Sequence, residues 1–280
     1  MIKPIIAKRD VTKHILKTFD IRMSKKLGQN FLIDESVVRG IVDAAGVSQS
    51  DTVLEIGPGI GTLTQGLAQT GAQVVAVELD GRLIDVLAKT LEGYENVRVI
   101  HGDILKINIT DEVPAAPFKV VANLPYYITT PIIMGLLEAR LPVSTLVTMV
   151  QKEVAVRMVA RPGNKDYGAL SVAVQYFTQP QIMFEVPPAS FIPSPAVDSA
   201  VIRCIVRDKP PVVAADEKMF FRVVKAAFSQ RRKTLNNALK TMGMPVEEIQ
   251  QALEIAKVEG SRRGETLSLE EFAAIANAFA

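Results

Sequence analysis

Residues 119–127 read KVVANLPYY, and four of them have the types and spacing to handle an aromatic amine. Val120, Val121 and Ala122 form an apolar run of buried-strand type. The run stops at Asn123-Leu124-Pro125-Tyr126. Pro125 fixes its own backbone and pushes Leu124 away from helical angles, so the turn is rigid and extended. Open α/β sheets place their chemistry at such carboxyl ends of strands. Asn123 offers an amide oxygen and Leu124 a backbone carbonyl. Two neighbouring acceptors suit an NH2 group, which has two protons to donate. Tyr126 adds a flat face suited to a nucleobase. The set fits an exocyclic amine on an aromatic ring, such as adenine's. The plainer alternative is a strand-ending turn with a core tyrosine, and the tetrapeptide alone leaves both open.

A second group lies upstream. Asp51 to Ile56 reads as a strand and runs into Gly57-Pro58-Gly59-Ile60-Gly61. A glycine turn between strand and helix lets a ligand approach the backbone closely. Glu78 follows Gly57 by roughly 20 residues, at a second strand's end, where an acid can grip ribose hydroxyls. Nicotinamide enzymes share that spacing, but three details point elsewhere. The pattern is G-x-G-x-G, without the third glycine placed for packing under a pyrophosphate. Glu55 precedes the loop, and its charge disfavours a phosphate but suits a sulfonium or amino group. Asp103 sits at a further strand end, where it can accept from an adenine amino group. The pocket reads as one for S-adenosylmethionine. Each acid alone could be a solvated loop carboxylate; three at successive strand ends favour a site.

These groups need a scaffold, and the chain supplies one. Asp34 caps a helix carrying Val37, Val38, Ile41 and Val42, and Gly46 ends it. A β-loop-α pattern then repeats three times, through strands at Asp51 to Ile56, Val74 to Leu79 and Val97 to His101, before the KVVANLPYY strand. Such alternation predicts an α/β fold, a parallel sheet covered by helices on both faces. Ser144 to Val150 is a further strand, and Gln151 to Ala160 a helix. Leu170 to Phe177 and Ala200 to Val206 read as a late strand pair, with Phe191 to Ser199 in the loop between them. Asp208-Lys209-Pro210-Pro211 marks a boundary, after which the chain reads as helix. The expected division is a basic arm over 1–29, an S-adenosylmethionine-binding domain over 30–207 and a small all-helical domain over 208–280.

Charge is distributed unevenly. The formal net charge of the 280 residues is only +2. The arm nevertheless carries Lys3, Lys8, Arg9, Lys13, Lys17, Arg22, Lys25 and Lys26 against Asp10 and Asp20. Thr12 is placed to cap a brief helix there, with Ile15, Leu16 and Phe19 on its apolar side. The arm reads as a solvated tail or as a grip on phosphates. A second basic run, Arg222, Lys225, Arg231, Arg232, Lys233 and Lys240, contains no acid between its ends. A solvated helix face normally mixes both signs, so this run points to RNA. The lone Cys204 rules out an intrachain disulfide and fits a reducing cytoplasm. Two histidines and no Cys/His cluster argue against a zinc site. The most apolar stretch, Thr130 to Val150, is broken by Glu138, Arg140 and Pro142, which a membrane span would not tolerate cheaply.

Taken in order, the blocks KKLGQNFLID (25–34), VLEIGPGIGTLT (53–64), VAVELD (75–80), GDIL (102–105), NLPYYITTP (123–131), VQKEVAVRM (150–158), FIPSPAVDS (191–199) and AFSQRRKTLNNAL (227–239) resemble the ribosomal RNA adenine dimethyltransferases, in particular the bacterial small-subunit branch. The resemblance spans nearly the whole chain. It implies a Rossmann-like class I methyltransferase sheet with a small C-terminal helical domain. It implies S-adenosylmethionine as cofactor, held at the positions of Asn30, Leu32, Gly57, Gly59, Glu78, Asp103 and Asn123. It implies dimethylation of two neighbouring adenosines near the 3′ end of small-subunit ribosomal RNA. The partner would be that RNA within an immature small subunit, met by a cytoplasmic monomer.

For the chemistry, Asn123, Leu124 and Tyr126 are the candidate catalytic residues. Tyr126 and Phe191 are candidates to stack on the flipped-out base, Phe191 being nearly as well explained as a core residue. Arg222, Lys225, Arg231, Arg232 and Lys233 are the candidate RNA contacts. Competing readings are a resistance-type large-subunit methyltransferase, a DNA adenine methyltransferase, an assembly factor acting mainly by binding and, more distantly, a nicotinamide oxidoreductase. Leu124, where resistance enzymes tend to carry isoleucine, favours the small-subunit branch.

Overall fold

The computed structural model describes residues 3–22, 24, 27–113, 117–230 and 232–279. The chain divides into two compact units, one of residues 1–155 and 181–206, the other of residues 156–180 and 207–280.

In the first unit, helix α1 (Arg9–Thr18) precedes a short strand β1 (Phe31–Leu32) and helix α2 (Glu35–Ala45). Three strand–helix repeats follow: β2 (Thr52–Ile56) with α3 (Thr62–Ala68), β3 (Gln73–Glu78) with α4 (Ile84–Thr90), and β4 (Val97–His101) with α5 (Ile109–Glu112). Then come β5 (Phe118–Asn123), α6 (Thr129–Glu138), β6 (Val143–Gln151) and α7 (Lys152–Val159), the last crossing into the second unit. Helix α8 (Ala169–Phe177) leads into β7 (Thr178–Val186), β8 (Phe191–Ile192) and β9 (Ser199–Val206). The second unit ends in helices α9 (Glu217–Phe228), α10 (Leu235–Ala238), α11 (Val246–Ile255) and α12 (Leu269–Asn277).

Seven strands form one sheet in the order β4-β3-β2-β5-β6-β9-β7. The pairs β3–β4, β2–β3, β2–β5 and β5–β6 are parallel, and β6–β9 is antiparallel. Chain order reverses between β2 and β5, which makes their carboxyl ends the switch point where such sheets bind ligands. The apolar runs expected of a doubly covered sheet are present: Val53, Leu54, Val120, Val121, Ala122 and Val147 are all fully buried.

Local signals account for the boundaries that matter. Asp34 accepts from the Ser36 N–H at the start of α2, and Gly46 closes it in a left-handed conformation. Between β2 and α3, Gly57 and Gly59 have φ of 69° and 62°. A Cβ on Gly59 would also stand 3.2 Å from the Phe31 ring, so only glycine fits there without strain.

Several expectations need correction. Residues 169–177 are helical, not a strand; α8 begins with the Gly168 N–H donating to Ser171 Oγ at 3.0 Å. The partner of β9 in that part of the sheet is β7. Thr12 does not cap α1: it is fully buried inside the helix and donates to the Ile6 carbonyl at 2.7 Å. The arm belongs to the first unit, with Ile6 and Ile15 packed against Ile60, Leu83 and Val86. Residues 156–180, expected in the methyltransferase domain, group with the C-terminal helices.

Candidate active site

A cleft of about 1060 Å³, its open mouth included, lies across the carboxyl ends of β2, β3, β4 and β5. Each strand delivers one polar side chain expected to act there: Glu55, Glu78, Asp103 and Asn123 all line it. Asn30, Leu32, Gly57, Gly59, Leu124 and Tyr126 line it too.

Glu55 is wholly buried on β2, and among the described residues its Oε2 has no hydrogen-bond partner. Burial pushes its pKa up to about 8; Thr64 beside it pulls downward and the nearby Glu78 carboxylate adds a smaller upward push. An orphan oxygen of this kind is costly unless a ligand answers it. Glu78 is pinned at both oxygens, accepting from Gly59 N–H at 3.0 Å and from Asp80 N–H at 2.8 Å. Burial raises its pKa, against those two backbone donors. Each oxygen keeps a further lone pair for a ligand hydroxyl. Asp103 accepts from the Leu105 N–H at 3.1 Å and pairs with Lys106 at 3.4 Å.

Asn123 ends β5 and is held on one side only. Its Nδ2 donates to the Asn30 carbonyl at 3.3 Å, which orients the amide and leaves Oδ1 without a described donor. The Leu124 N–H donates to the Met149 carbonyl at 3.1 Å, so the turn is tied to β6 before Pro125 stiffens it. The Tyr126 hydroxyl lies 2.6 Å from Ser199 Oγ, and Ser199 is fully buried at the start of β9. Burial raises the Tyr126 pKa and the Ser199 contact lowers it. The ring is thereby fixed at the cleft wall.

Phe191 is not brought to this site. It is 2% exposed, pairs with Leu32 across the β1–β8 ribbon and packs in the main core with Leu32 and Val37. Its aromatic character serves packing. Sequence reasoning missed a polar bracket at the cleft: Gln29 Nε2 donates to Asp80 Oδ2 at 2.7 Å, and Arg82 Nε donates to Asp80 Oδ1 at 2.9 Å. Arg82 holds the Asp80 carboxyl down at about 2. The only sequence hint was an aspartate two residues after Glu78. It also missed the apolar walls Leu79 and Ile104, which no spacing rule singles out.

In the second unit, Lys225, Arg232 and Lys233 are exposed. Arg222, also exposed, donates to the Met242 carbonyl at the end of the turn after α10. Arg231 lies outside the described residues, as do Lys25 and Lys26 of the arm.

Residues 21–280 match the family model described as "Ribosomal RNA adenine dimethylase". The chain belongs to that family. Among curated relatives, it is 50% identical over 272 residues to "Ribosomal RNA small subunit methyltransferase A" of Alkaliphilus oremlandii, covering 95% of both chains. The protein of the same name from Geobacillus thermodenitrificans is 51% identical over 276 residues, covering 95% of this chain and 94% of that one. Among solved structures, a dimethyladenosine transferase from Plasmodium falciparum superposes with a TM-score of 0.74 at 28% identity, covering 88% of this chain and 95% of that one. The 23S rRNA methyltransferase ErmE gives 0.68 at 30% identity, with 89% and 99% covered. The Rossmann-like methyltransferase fold expected from the sequence is therefore the fold of this chain.

Proposed function

We propose that this protein uses S-adenosylmethionine to dimethylate the 6-amino groups of two adjacent adenosines near the 3′ end of small-subunit ribosomal RNA. The observation that carries the reading is the Asn123 amide: tethered through Nδ2 to the Asn30 carbonyl, it leaves its oxygen for an amine at the cleft. Relatives at about half identity bear the small-subunit name, against 30% for the large-subunit enzyme. That difference favours the small-subunit target.

The cleft's donors and acceptors fit the cofactor. The unanswered Glu55 oxygen suits a cationic group, the spare lone pairs of Glu78 suit ribose hydroxyls, and Asp103 suits an adenine amine. Leu79 and Ile104 offer apolar walls for a base. Bound S-adenosylmethionine would supply an electrophilic methyl group.

The chain's own residues do the rest. Adenine's amine is a weak nucleophile because its lone pair is delocalised into the ring. The Asn123 oxygen and the Leu124 carbonyl accept hydrogen bonds from its two N–H groups and favour a pyramidal nitrogen with a localised pair, and the proton displaced by each methyl group leaves to water. Positioning of this kind supplies about 7–11 kcal/mol of a barrier in good cases. Tyr126, braced by Ser199, stacks on the flipped base, a contact typically worth about 1–3 kcal/mol. In the second transfer one proton remains, so one acceptor yields its place to the first methyl. The exposed Lys225, Arg232 and Lys233 hold RNA phosphates. The substrate is the RNA within an immature subunit, and the enzyme acts as a monomer. The test is incubation with labelled cofactor and unmethylated small subunits, followed by mapping of the labelled nucleotides. Label confined to two neighbouring adenosines supports the reading; label spread over other nucleotides of that RNA, or no label, refutes it.

A further inference from the structure

We infer that the outer face of α1 is a second RNA-contact surface, taking sugar-phosphate backbone beside the target base; this deepens the dimethyltransferase reading and rests on it. Arg9, Lys13 and Lys17 stand at i, i+4 and i+8, which aligns them in one stripe about 12 Å long. All three are exposed, as are Lys8 before the helix and Arg22 after it. None of the five is ion-paired among the described residues. Asp10 is exposed on the same helix and Asp20 follows it, so the stripe keeps a clear positive excess.

A merely solvating tail needs no anchors, yet this one is anchored at several points. The Ile6 N–H donates to Gln65 Oε1 at 2.9 Å, and Gln65 Nε2 donates to the Pro4 carbonyl at 3.0 Å. Lys3 lies 3.8 Å over the Tyr94 ring. Ile6 and Ile15 sit in one apolar cluster with Phe31 and Leu83, and those two residues also line the cleft. The stripe is thus carried on a helix whose buried side packs into the same apolar cluster as two residues of the cleft lining. Positive charge fixed beside a base-binding cleft, without acidic partners, matches the chemistry of phosphate backbone. The stretch that matches the family begins at residue 21, so α1 lies ahead of it.

The test compares the full-length protein with the triple variant Arg9→Gln, Lys13→Gln, Lys17→Gln. Binding to unmethylated small subunits is measured between low and physiological salt. The expected result is at least about a tenfold loss at low salt and a salt slope shallower by roughly 2–3, near one per lost phosphate contact. Cofactor affinity and melting temperature should match wild type. A charge-keeping variant, Arg9→Lys with Lys13→Arg and Lys17→Arg, should retain binding. Unchanged affinity and slope in the triple variant would overturn the proposal, as would equal loss in the charge-keeping one. So would binding of the stripe to vesicles rich in anionic lipid with no effect on RNA. If wild type methylates the subunit and the triple variant binds as well, only this surface is refuted. If wild type neither binds nor methylates it, the parent reading falls.

Discussion

Glu55 is expected to tie cofactor affinity to pH, with its burial setting the size of the effect. With a pKa pushed up to about 8, the carboxyl is mostly protonated in the empty cleft at neutral pH. A cationic ligand wants the carboxylate, so binding must expel that proton. At pH 6.5 only about 3% of the side chains are ionised, and affinity should be roughly 30-fold below its alkaline limit. That corresponds to about 2 kcal/mol. The ligand's own amine also titrates, so the useful quantity is the affinity ratio of wild type to Glu55→Gln. Calorimetry from pH 6.5 to 9, in buffers of different ionisation enthalpy, should show that ratio rising with pH and wild type releasing a proton. Stability gives the opposite trend. Because the folded state holds a proton that the unfolded chain releases above about 4.5, the ligand-free protein should lose stability as pH rises from about 4.5 to about 8. Glu55→Gln should shrink that decline, leaving the part that Glu78 contributes through its own raised pKa. A ratio that stays flat across the range, with no proton release, would refute the assignment of Glu55 as counter-charge to the ligand.

Ser199→Ala removes the brace on Tyr126; it should lower melting by a few degrees, for roughly 1 kcal/mol lost, and reduce turnover while leaving cofactor affinity intact, as melting curves and steady-state rates would show. Gly66→Ala would place a Cβ 2.5 Å from Val38 Cγ1 and should cost about 1–3 kcal/mol in denaturant unfolding, with part recovered in the double variant that adds Val38→Ala. Asp80, whose carboxyl is held down at about 2 chiefly by Arg82, contributes stability that is present above about pH 4 and lost as pH falls toward 2; acid unfolding of Asp80→Asn should lack that component.

Much of the sheet was legible because its strands are short, doubly buried and punctuated. DTVLEI before a glycine turn and KVVA before a proline admit few other readings. The acids at the strand ends were legible for the same reason, since the ends themselves were. Residues 169–177 were misread because LSVAVQY alternates as a strand does, with Ser171 and Gln175 set between the apolar Leu170, Val172, Val174 and Tyr176. Their helix buries nearly every side: Leu170, Val172, Ala173, Val174, Tyr176 and Phe177 are all buried. The following strand, TQPQIMFEV, was missed because Pro180 and its polar residues look like a loop. The role of Phe191 was not readable from its motif, because stacking on a base and packing in a core call for the same ring. The docking of the arm depends on Gln65, which nothing in the local sequence connects to Ile6. Ser199 was invisible for a related reason: its partner Tyr126 is 73 positions away.

The most direct test of the central claim compares wild type with Asn123→Ala, measuring methyl transfer to unmethylated small subunits and cofactor binding side by side. The account expects wild type to add four methyl groups to two neighbouring adenosines. It expects the variant to lose transfer by at least about 100-fold while its cofactor affinity weakens only modestly. Near-normal transfer by Asn123→Ala would contradict it.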